Sequence, residues 1–217
     1  MNIEQARFNM IEQQIRPWDV LDPGVLELLA VVKREDFVPS ACRALAFVDT
    51  EVPLAQGQSM LAPKVEARLL QELAIHKHER VLEIGTGSGF MAALLAHKAQ
   101  HVTTLEIRPE LALAAKINLQ RAAVLNVTIR EADGSKGQTT NGPWDAILLS
   151  GSVAEVPAPL LAQLKVGGRL AAIVGQLPIM RAVLVTRDSE HGFRSVDLFD
   201  TVAPRLEGFA EPTRFKF

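Results

Sequence analysis

A glycine-rich turn that directly follows an apolar run is the feature that most constrains this chain. Residues 82–90 read Leu-Glu-Ile-Gly-Thr-Gly-Ser-Gly-Phe, with an acidic side chain, Glu83, two positions before the first glycine. Because glycine carries no Cβ, a ligand can lie directly against the backbone of such a turn. An apolar strand, a glycine turn and a helix in this order indicate an α/β fold with a ligand site at the turn.

The sequence after residue 80 alternates short apolar runs with amphipathic stretches. Strands that alternate with helices and are apolar on both faces predict a parallel sheet covered on both sides. After Gly175 the helical stretches stop, and two further runs joined through His191–Gly192 predict an antiparallel pair at the sheet edge. The predicted strands are Val81–Ile84, Val102–Leu105, Val127–Ile129, Ala146–Leu149, Leu170–Val174, Ala182–Thr186 and Ser195–Thr201. The predicted helices run from the glycine turn to Lys98, from Pro109 to about Val124, and near Pro159–Leu164.

The region before the sheet is predicted to be mainly helical. Phe8, Ile11 and Ile15 recur at helical spacing up to Pro17, and Asp22 with Pro23 opens a second helix that ends near 37–39. We expect a loop with short extended pieces over 46–60, and then a helix from Pro63 to about Leu73. No Pro/Gly/Ser-rich linker divides the chain, so the sequence predicts one domain, with residues 1–62 as an extension of a 63–217 core.

Composition excludes several classes of partner. The net charge of −2 gives no overall basic field for nucleic acid or an anionic membrane, and no apolar run approaches the roughly 20 residues of a membrane-spanning helix. The amino terminus lacks the order of a signal peptide, and the single Cys42 cannot form an internal disulfide. His76 and His78 flank a turn without a metal-binding motif. We therefore expect a cytoplasmic protein, monomeric or weakly dimeric, without a metal ion.

Acidic residues stand at the ends of three successive predicted strands: Glu83, Glu106 and Asp133. Glu106 is placed to accept hydrogen bonds from ribose hydroxyls, and Asp133 from an adenine amino group. A P-loop is excluded because Gly89 is followed by Phe90 rather than lysine, and Phe90 also disfavours a dinucleotide turn. A carboxylate such as Glu83 opposes a pyrophosphate but suits a cation. S-adenosylmethionine, a cation without phosphate, is therefore the favoured ligand, with a nicotinamide or flavin cofactor as the alternative.

With these residues, the chain resembles the protein-L-isoaspartate O-methyltransferase family over nearly its whole length. The more specific matches lie in the amino-terminal helices and in the loop that contains Gly57 and Gln58. The resemblance implies a doubly wound, mostly parallel, seven-stranded Rossmann-like methyltransferase sheet with an antiparallel edge hairpin and a helical amino-terminal extension. The matching segments are Met10–Ile15, Arg34–Pro39, Asp49–Pro63, Trp144–Ile147, Leu164–Leu170 and Asp197–Asp200.

The resemblance also implies a reaction and a set of site residues. Members of the family methylate the free carboxylate of L-isoaspartyl residues in damaged proteins. A carboxylate is ionised near neutral pH and needs no general base, so catalysis requires alignment and exclusion of water. Ser59 is the implied catalytic residue. The residues implied or predicted to bind S-adenosylmethionine are Gln58, Ser59, Glu83, Gly85, Thr86, Gly87, Ser88, Gly89, Glu106, Ile107, Asp133 and Gly134.

The chain departs from the family at the loop that serves the acceptor. The family reads Gly-Gln-Thr-Ile-Ser-x-Pro, whereas residues 57–63 read Gly-Gln-Ser-Met-Leu-Ala-Pro, so Leu61 stands at the position of the functional serine. A carboxylate deprived of one hydrogen bond loses about 1.5–3 kcal/mol, or about ten- to a hundredfold in rate. Phe47 replaces a usual tyrosine, and Leu54-Ala55-Gln56 replaces Pro-Ile-Gly.

This departure leaves other functions open. Met60 and Leu61 suit a more apolar small-molecule acceptor, and a protein that binds S-adenosylmethionine without turnover is a further alternative. A nucleic-acid methyltransferase is disfavoured, because Ser150-Gly151-Ser152 stands where base-modifying enzymes carry Asn/Asp-Pro-Pro-aromatic.

Overall fold

The computed structural model describes residues 2–211, which form a seven-stranded sheet flanked by helices. The helices are α1 (Ile3–Met10), α2 (Pro23–Val31), α3 (Pro63–Leu73), α4 (Phe90–Lys98), α5 (Pro109–Arg121) and α6 (Ala158–Leu161). The strands are β1 (Val52–Pro53), β2 (Ser59–Met60), β3 (Arg80–Ile84), β4 (His101–Glu106), β5 (Val127–Glu131), β6 (Trp144–Val153), β7 (Leu164–Gln176), β8 (Ile179–Arg187) and β9 (Phe193–Thr201). None of the helices within 2–211 is long and apolar enough to cross a membrane.

The strand order β5-β4-β3-β6-β7-β8-β9 confirms the predicted doubly wound sheet. Strands β3 to β7 are parallel, whereas β8 pairs antiparallel with β7 and β9 antiparallel with β8. From β3 the chain first moves outward through β4 and β5, and it then returns to the other side of β3 as β6. The carboxyl ends of β3, β4 and β6 are therefore the place where such a sheet opens a ligand cleft.

The first amino-terminal segment is helical as far as predicted, whereas the second helix is shorter than predicted. α1 ends at Met10 and continues as a π turn over Ile11–Ile15, and α2 ends at Val31 rather than near 37–39. Val32 adopts extended backbone, with φ −80° and ψ 106°, and a short 3₁₀ turn follows over Arg34–Asp36. After this break the side chains of Arg34 and Phe37 are buried in the interior.

The helix predicted near Pro159–Leu164 is present but ends earlier. α6 is a single turn, Ala158–Leu161, and Leu164 already begins β7 instead of ending a helix. Leu164 lies opposite the fully buried Trp144 in the sheet. Pairing with β6 therefore overrides the short helical pattern in this stretch.

The amino-terminal extension shares a hydrophobic core with the helices on one face of the sheet. Ile15 and Leu29 pack in the same cluster as Leu70 and Leu94. A second cluster, around Trp144, covers the other face. The shared core places the β1–β2 hairpin, in the predicted loop 46–60, at the end of the sheet where the cleft opens.

Candidate functional site

A cavity of about 770 Å³, part of it open to solvent, lies at the carboxyl ends of β3 and β4. Nine of the predicted cofactor residues line it: Gln58, Ser59, Gly85, Thr86, Gly87, Ser88, Glu106, Ile107 and Gly134. The other three, Glu83, Gly89 and Asp133, lie behind or beside its wall.

The glycine turn adopts a backbone that favours glycine at three positions. Gly85, Gly87 and Gly89 have φ values of 93°, 53° and 84°, in the left-handed region. A Cβ on Gly85 would lie 2.7 Å from Cδ2 of Leu206, which closes over the turn. Gly89 precedes the first residue of α4 and packs tightly on Ala115, so its role is to bring α4 close to α5.

Glu83 is fully buried beneath the glycine turn. Its Oε2 accepts a hydrogen bond from Oγ1 of Thr104 at 2.7 Å, and its Oε1 accepts one from Oγ of Ser150 at 2.7 Å. Burial raises the pKa of Glu83 to about 8, although the hydrogen bonds from the two hydroxyls lower it. Ser150 lines the cavity and Glu83 does not, so contact of Glu83 with a ligand cation stays a prediction.

Glu106 presents a carboxylate at the end of β4. Its Oε2 accepts a hydrogen bond from the backbone N–H of Gly87 at 2.9 Å, and its Oε1 accepts one from that of Arg108 at 3.1 Å. These two bonds fix the carboxylate against the glycine turn on one side of the cavity. The arrangement can receive hydroxyl donors from a ligand on its remaining lone pairs.

Asp133 lies outside the cavity wall, at the start of a short 3₁₀ turn over Gly134–Lys136. Its Oδ1 accepts a hydrogen bond from the backbone N–H of Ser135 at 2.9 Å, and Gly208 approaches its carboxylate from the other side. Its neighbour Gly134 does line the cavity. Contact of Asp133 with an adenine amino group therefore stays a prediction.

The loop 57–63 forms the opposite wall of the cavity. Ser59 is half-buried, and its hydroxyl has no hydrogen-bond partner within residues 2–211. Leu61 is 5% exposed and lines the cavity as well, while its backbone carbonyl accepts a hydrogen bond from Nη2 of Arg34 at 2.7 Å. The leucine side chain thus stands in the wall where the resemblance places a hydroxyl.

This wall also contains a buried ion pair that was not predicted from the sequence. Glu66, on α3, lines the cavity, and its Oε2 accepts a hydrogen bond from Nη1 of Arg34. The guanidinium of Arg34 also lies 5.0 Å from the ring centre of Phe90. Burial raises the pKa of Glu66 to about 7, against the lowering effect of Arg34. Helical spacing could have revealed Glu66, because it precedes Leu70 by four residues and shares its buried face.

The segment 203–209 was also missed. It follows β9 and crosses the cavity, where Leu206 and Glu207 contribute to the lining. The backbone N–H of Ser152 donates to the carbonyl of Pro204 at 2.7 Å, and that of Leu206 donates to the carbonyl of Ser152 at 2.9 Å. Arg108 forms an ion pair with Glu207. No periodicity marks this segment, since it is an irregular connection held by backbone contacts from a distant strand.

The histidines do not assemble a metal site. The rings of His76 and His78 lie 5.8 Å apart near the start of β3. Across residues 2–211, no three His, Cys, Asp or Glu side chains converge as a set of metal ligands.

Comparison with known proteins agrees with this arrangement. The family model described as Protein-L-isoaspartate(D-aspartate) O-methyltransferase matches residues 5–201. The chain is 38% identical over 205 residues to Protein-L-isoaspartate O-methyltransferase 1 of Syntrophobacter fumaroxidans, covering 91% of this chain and 96% of that protein. It is 41% identical over 171 residues to the Protein-L-isoaspartate O-methyltransferase of Methanoculleus marisnigri, covering 79% and 78% of the two chains.

A solved structure shows the same fold at lower sequence identity. A Plasmodium falciparum protein assigned to this family, crystallised in complex with S-adenosyl-L-homocysteine, superposes with a TM-score of 0.80 at 20% identity. The match covers 95% of this chain and 99% of that chain. Together with the family match over residues 5–201 and relatives near 40% identity, these findings show that the chain belongs to the protein-L-isoaspartate O-methyltransferase family of methyltransferases.

Proposed function

We propose that this protein transfers a methyl group from S-adenosylmethionine to the free carboxylate of L-isoaspartyl residues in damaged proteins. The observation that carries the proposal is a single cavity, bounded on one side by the glycine turn and on the other by the loop 57–63. One wall suits a nucleoside and the other suits an acceptor. Membership of the family supplies the reaction that joins the two.

The residues of the first wall fit S-adenosylmethionine. Gly85 and Gly87 leave the backbone open to the ligand, and the fixed carboxylate of Glu106 suits the two ribose hydroxyls. The backbone N–H groups of Gly85, Thr86, Gly87 and Gly89 already donate hydrogen bonds within the protein, and no lysine follows the glycine turn, so the turn lacks what a phosphate chain requires. The carboxylate of Glu106, which lines the cavity, instead favours a ligand that is positively charged.

The second wall can hold the acceptor close to the methyl group. When bound, S-adenosylmethionine supplies a methyl carbon to which the acceptor oxygen bonds while the carbon–sulfur bond breaks, both electrons staying on sulfur. Ser59 presents a free hydroxyl that can donate to the acceptor carboxylate. Met60, Leu61 and Leu206 present apolar side chains to the cavity, so the attacking oxygen is less solvated beside them.

We propose a cytoplasmic monomer or weak dimer that acts without nucleic acid. The net charge of −2 argues against a nucleic-acid partner, and the single cysteine, which cannot form an internal disulfide, suits a reducing compartment.

Paired peptides test the function directly. Purified protein and labelled S-adenosylmethionine are incubated with an isoaspartyl peptide and with the same peptide in its normal aspartyl linkage. We expect label in the isoaspartyl peptide alone. Absence of label in both peptides, with cofactor binding intact by calorimetry, would contradict the proposal.

A different acceptor is the second candidate, and Leu61 favours it. With Met60 it makes this wall apolar, which suits a small apolar molecule better than a peptide carboxylate. Methyl transfer to a panel of small carboxylic acids and phenols, in the absence of transfer to the isoaspartyl peptide, is the result that would select it.

A further inference from the structure

We propose that Glu66 is a specificity-determining residue of the acceptor wall, the side of the cavity formed by the loop 57–63 and Glu66 of α3. In its neutral form Glu66 donates a hydrogen bond to the acceptor carboxylate, in place of the hydroxyl that Leu61 lacks. This proposal rests on the proposed function. It assigns the recognition of the acceptor to a residue that lies outside the loop 57–63.

The geometry places Glu66 beside the position of the missing hydroxyl. One guanidinium, that of Arg34, contacts Glu66 through Nη1 and the carbonyl of Leu61 through Nη2. The carboxyl group of Glu66 and the backbone carbonyl of Leu61 therefore both lie within hydrogen-bond distance of the same guanidinium group. Both line the cavity, so an acceptor that meets the Leu61 side chain also meets Glu66.

One oxygen of Glu66 is available to a ligand. Arg34 contacts Oε2, while Oε1 has no hydrogen-bond partner within residues 2–211. Glu66 lines the cavity, so Oε1 is the oxygen through which it can meet a ligand there. A neutral carboxyl group here has one O–H to donate, as a serine hydroxyl has.

The charges around the cavity favour the neutral form when an anion enters. Arg34 is paired with Glu66, and Arg108 is paired with Glu207, so neither guanidinium has a free charge for the acceptor. An acceptor carboxylate would enter next to Glu66, and two carboxylates in one buried site cannot both stay ionised. Uptake of one proton from solvent by Glu66 removes this conflict and leaves Arg34 neutralised by the acceptor.

Other charged groups near Glu66 act in the same direction or are already paired. Glu83, on β3, is close enough for its pKa to be raised by Glu66, and Glu106 raises it as well. Burial already raises the pKa of Glu66 to about 7, so protonation of Glu66 near neutral pH requires little free energy. Most of the charged groups on other elements packed against α3 form ion pairs with residues other than Glu66: Glu12 with Arg16, Lys98 with Asp22, Lys165 with Asp145, Arg169 with Glu79, and Arg181 with Asp197 and Asp200. Glu27, on α2, is exposed, and Arg187, on β8, donates to the backbone carbonyl of Leu164.

Proton uptake on binding is the first test. The protein is loaded with S-adenosylhomocysteine and titrated with the isoaspartyl peptide by calorimetry, in two buffers that differ in ionisation enthalpy. At pH 8, where free Glu66 is mostly ionised, we expect uptake of about one proton, falling towards zero near pH 6. Glu66→Gln should bind the peptide with no uptake at either pH.

The pH dependence of turnover is the second test. With saturating cofactor, kcat/KM of the wild type for the isoaspartyl peptide should fall about tenfold for each pH unit above 7. Glu66→Gln keeps a donor N–H₂ at all pH values, so its kcat/KM should stay level over the same range and exceed that of the wild type at pH 8.5.

Glu35→Gln is the matched control. Glu35 is 4% exposed and forms a buried ion pair with Arg7, but it does not line the cavity. The variant Glu35→Gln shows how the same substitution in a similar buried ion pair affects stability and activity. The pH profile of its kcat/KM should follow that of the wild type. Thermal unfolding checks that both variants are folded.

Two outcomes would overturn the inference, and they are distinguishable. If proton uptake and the pH profile are the same in the wild type and Glu66→Gln, Glu66 only neutralises Arg34, while the proposed function stands. If the wild type binds cofactor but methylates the isoaspartyl peptide at no pH, the proposed function fails and the inference fails with it.

Discussion

At the scale of single residues, the acceptor wall depends on two neighbours with opposite chemistry. Leu61 is an apolar side chain where the family resemblance implies a hydroxyl, and Glu66 is a carboxyl group on the buried face of α3. Arg34 joins them through one guanidinium. The chemistry lost at residue 61 can therefore be supplied from residue 66 without a change in the backbone.

Leu61→Ser should restore a hydroxyl to this wall. If Glu66 supplies the donor at low pH, the gain in isoaspartyl turnover should be small at pH 6 and about ten- to a hundredfold at pH 8.5, because one hydrogen bond to a charged group contributes about 1.5–3 kcal/mol. Steady-state kinetics at the two pH values measures it. Leu61→Ala, which opens space without a hydroxyl, is the control, and an equal gain from both variants would contradict the explanation.

At the scale of elements, the site depends on where strands end. β3 and β4 stop at the same edge of the sheet, so the glycine turn and Glu106 meet there. The left-handed backbone of Gly87 turns its N–H towards the Glu106 carboxylate. The turn and the neighbouring strand end therefore fix each other before any ligand arrives.

Glu106→Gln should weaken cofactor binding. The amide keeps one acceptor for the backbone N–H of Gly87 but loses the charge that strengthens bonds to ribose hydroxyls. We expect the Kd for S-adenosylmethionine to rise about ten- to a hundredfold, measured by calorimetry. Glu131→Gln is the matched control, because Glu131 pairs with Glu106 at the end of the next strand but is exposed and does not line the cavity. A similar loss in both variants would argue against a direct contact.

At the scale of the whole molecule, folding buries carboxyl groups without matching each with a cation. Glu66 has Arg34, but Glu83 has only the hydroxyls of Thr104 and Ser150. Burial raises the pKa of Glu66 to about 7 and that of Glu83 to about 8. The folded state therefore holds protons that the unfolded chain has already released at pH 6.

Stability should fall as the pH rises. Because both pKa values are raised on folding, the stabilising effect is complete below about pH 4.5 and is lost progressively as the pH passes the folded values near 7 and 8. We expect the free energy of unfolding to drop by a few kcal/mol, as an order of magnitude, between about pH 5 and pH 9 in urea titrations. Glu83→Gln should flatten this slope, whereas the exposed Glu131→Gln should leave it unchanged. A slope of the opposite sign would contradict the pKa directions.

The sequence by itself determined the sheet, the glycine turn and the strand-end carboxylates. These features depend on local pattern: apolar runs of strand length, glycine at positions of positive φ, and an acidic residue at a fixed distance from the turn. The end of α2 at Val31 was not readable in this way, because burial of Arg34 and Phe37 in contacts distant in sequence decides it.

Only the tertiary structure decided how the acceptor wall is completed. Leu61 and Glu66 are close in sequence, but Arg34 lies 27 residues before Leu61 and 32 before Glu66, and nothing in the sequence shows that one guanidinium joins them. Leu206 and Glu207 close the cavity from a segment without periodicity. Local sequence determines which backbone conformations are available, whereas contacts between distant segments depend on packing of the whole chain. In this protein those contacts determine the charge and polarity of the wall that an acceptor meets.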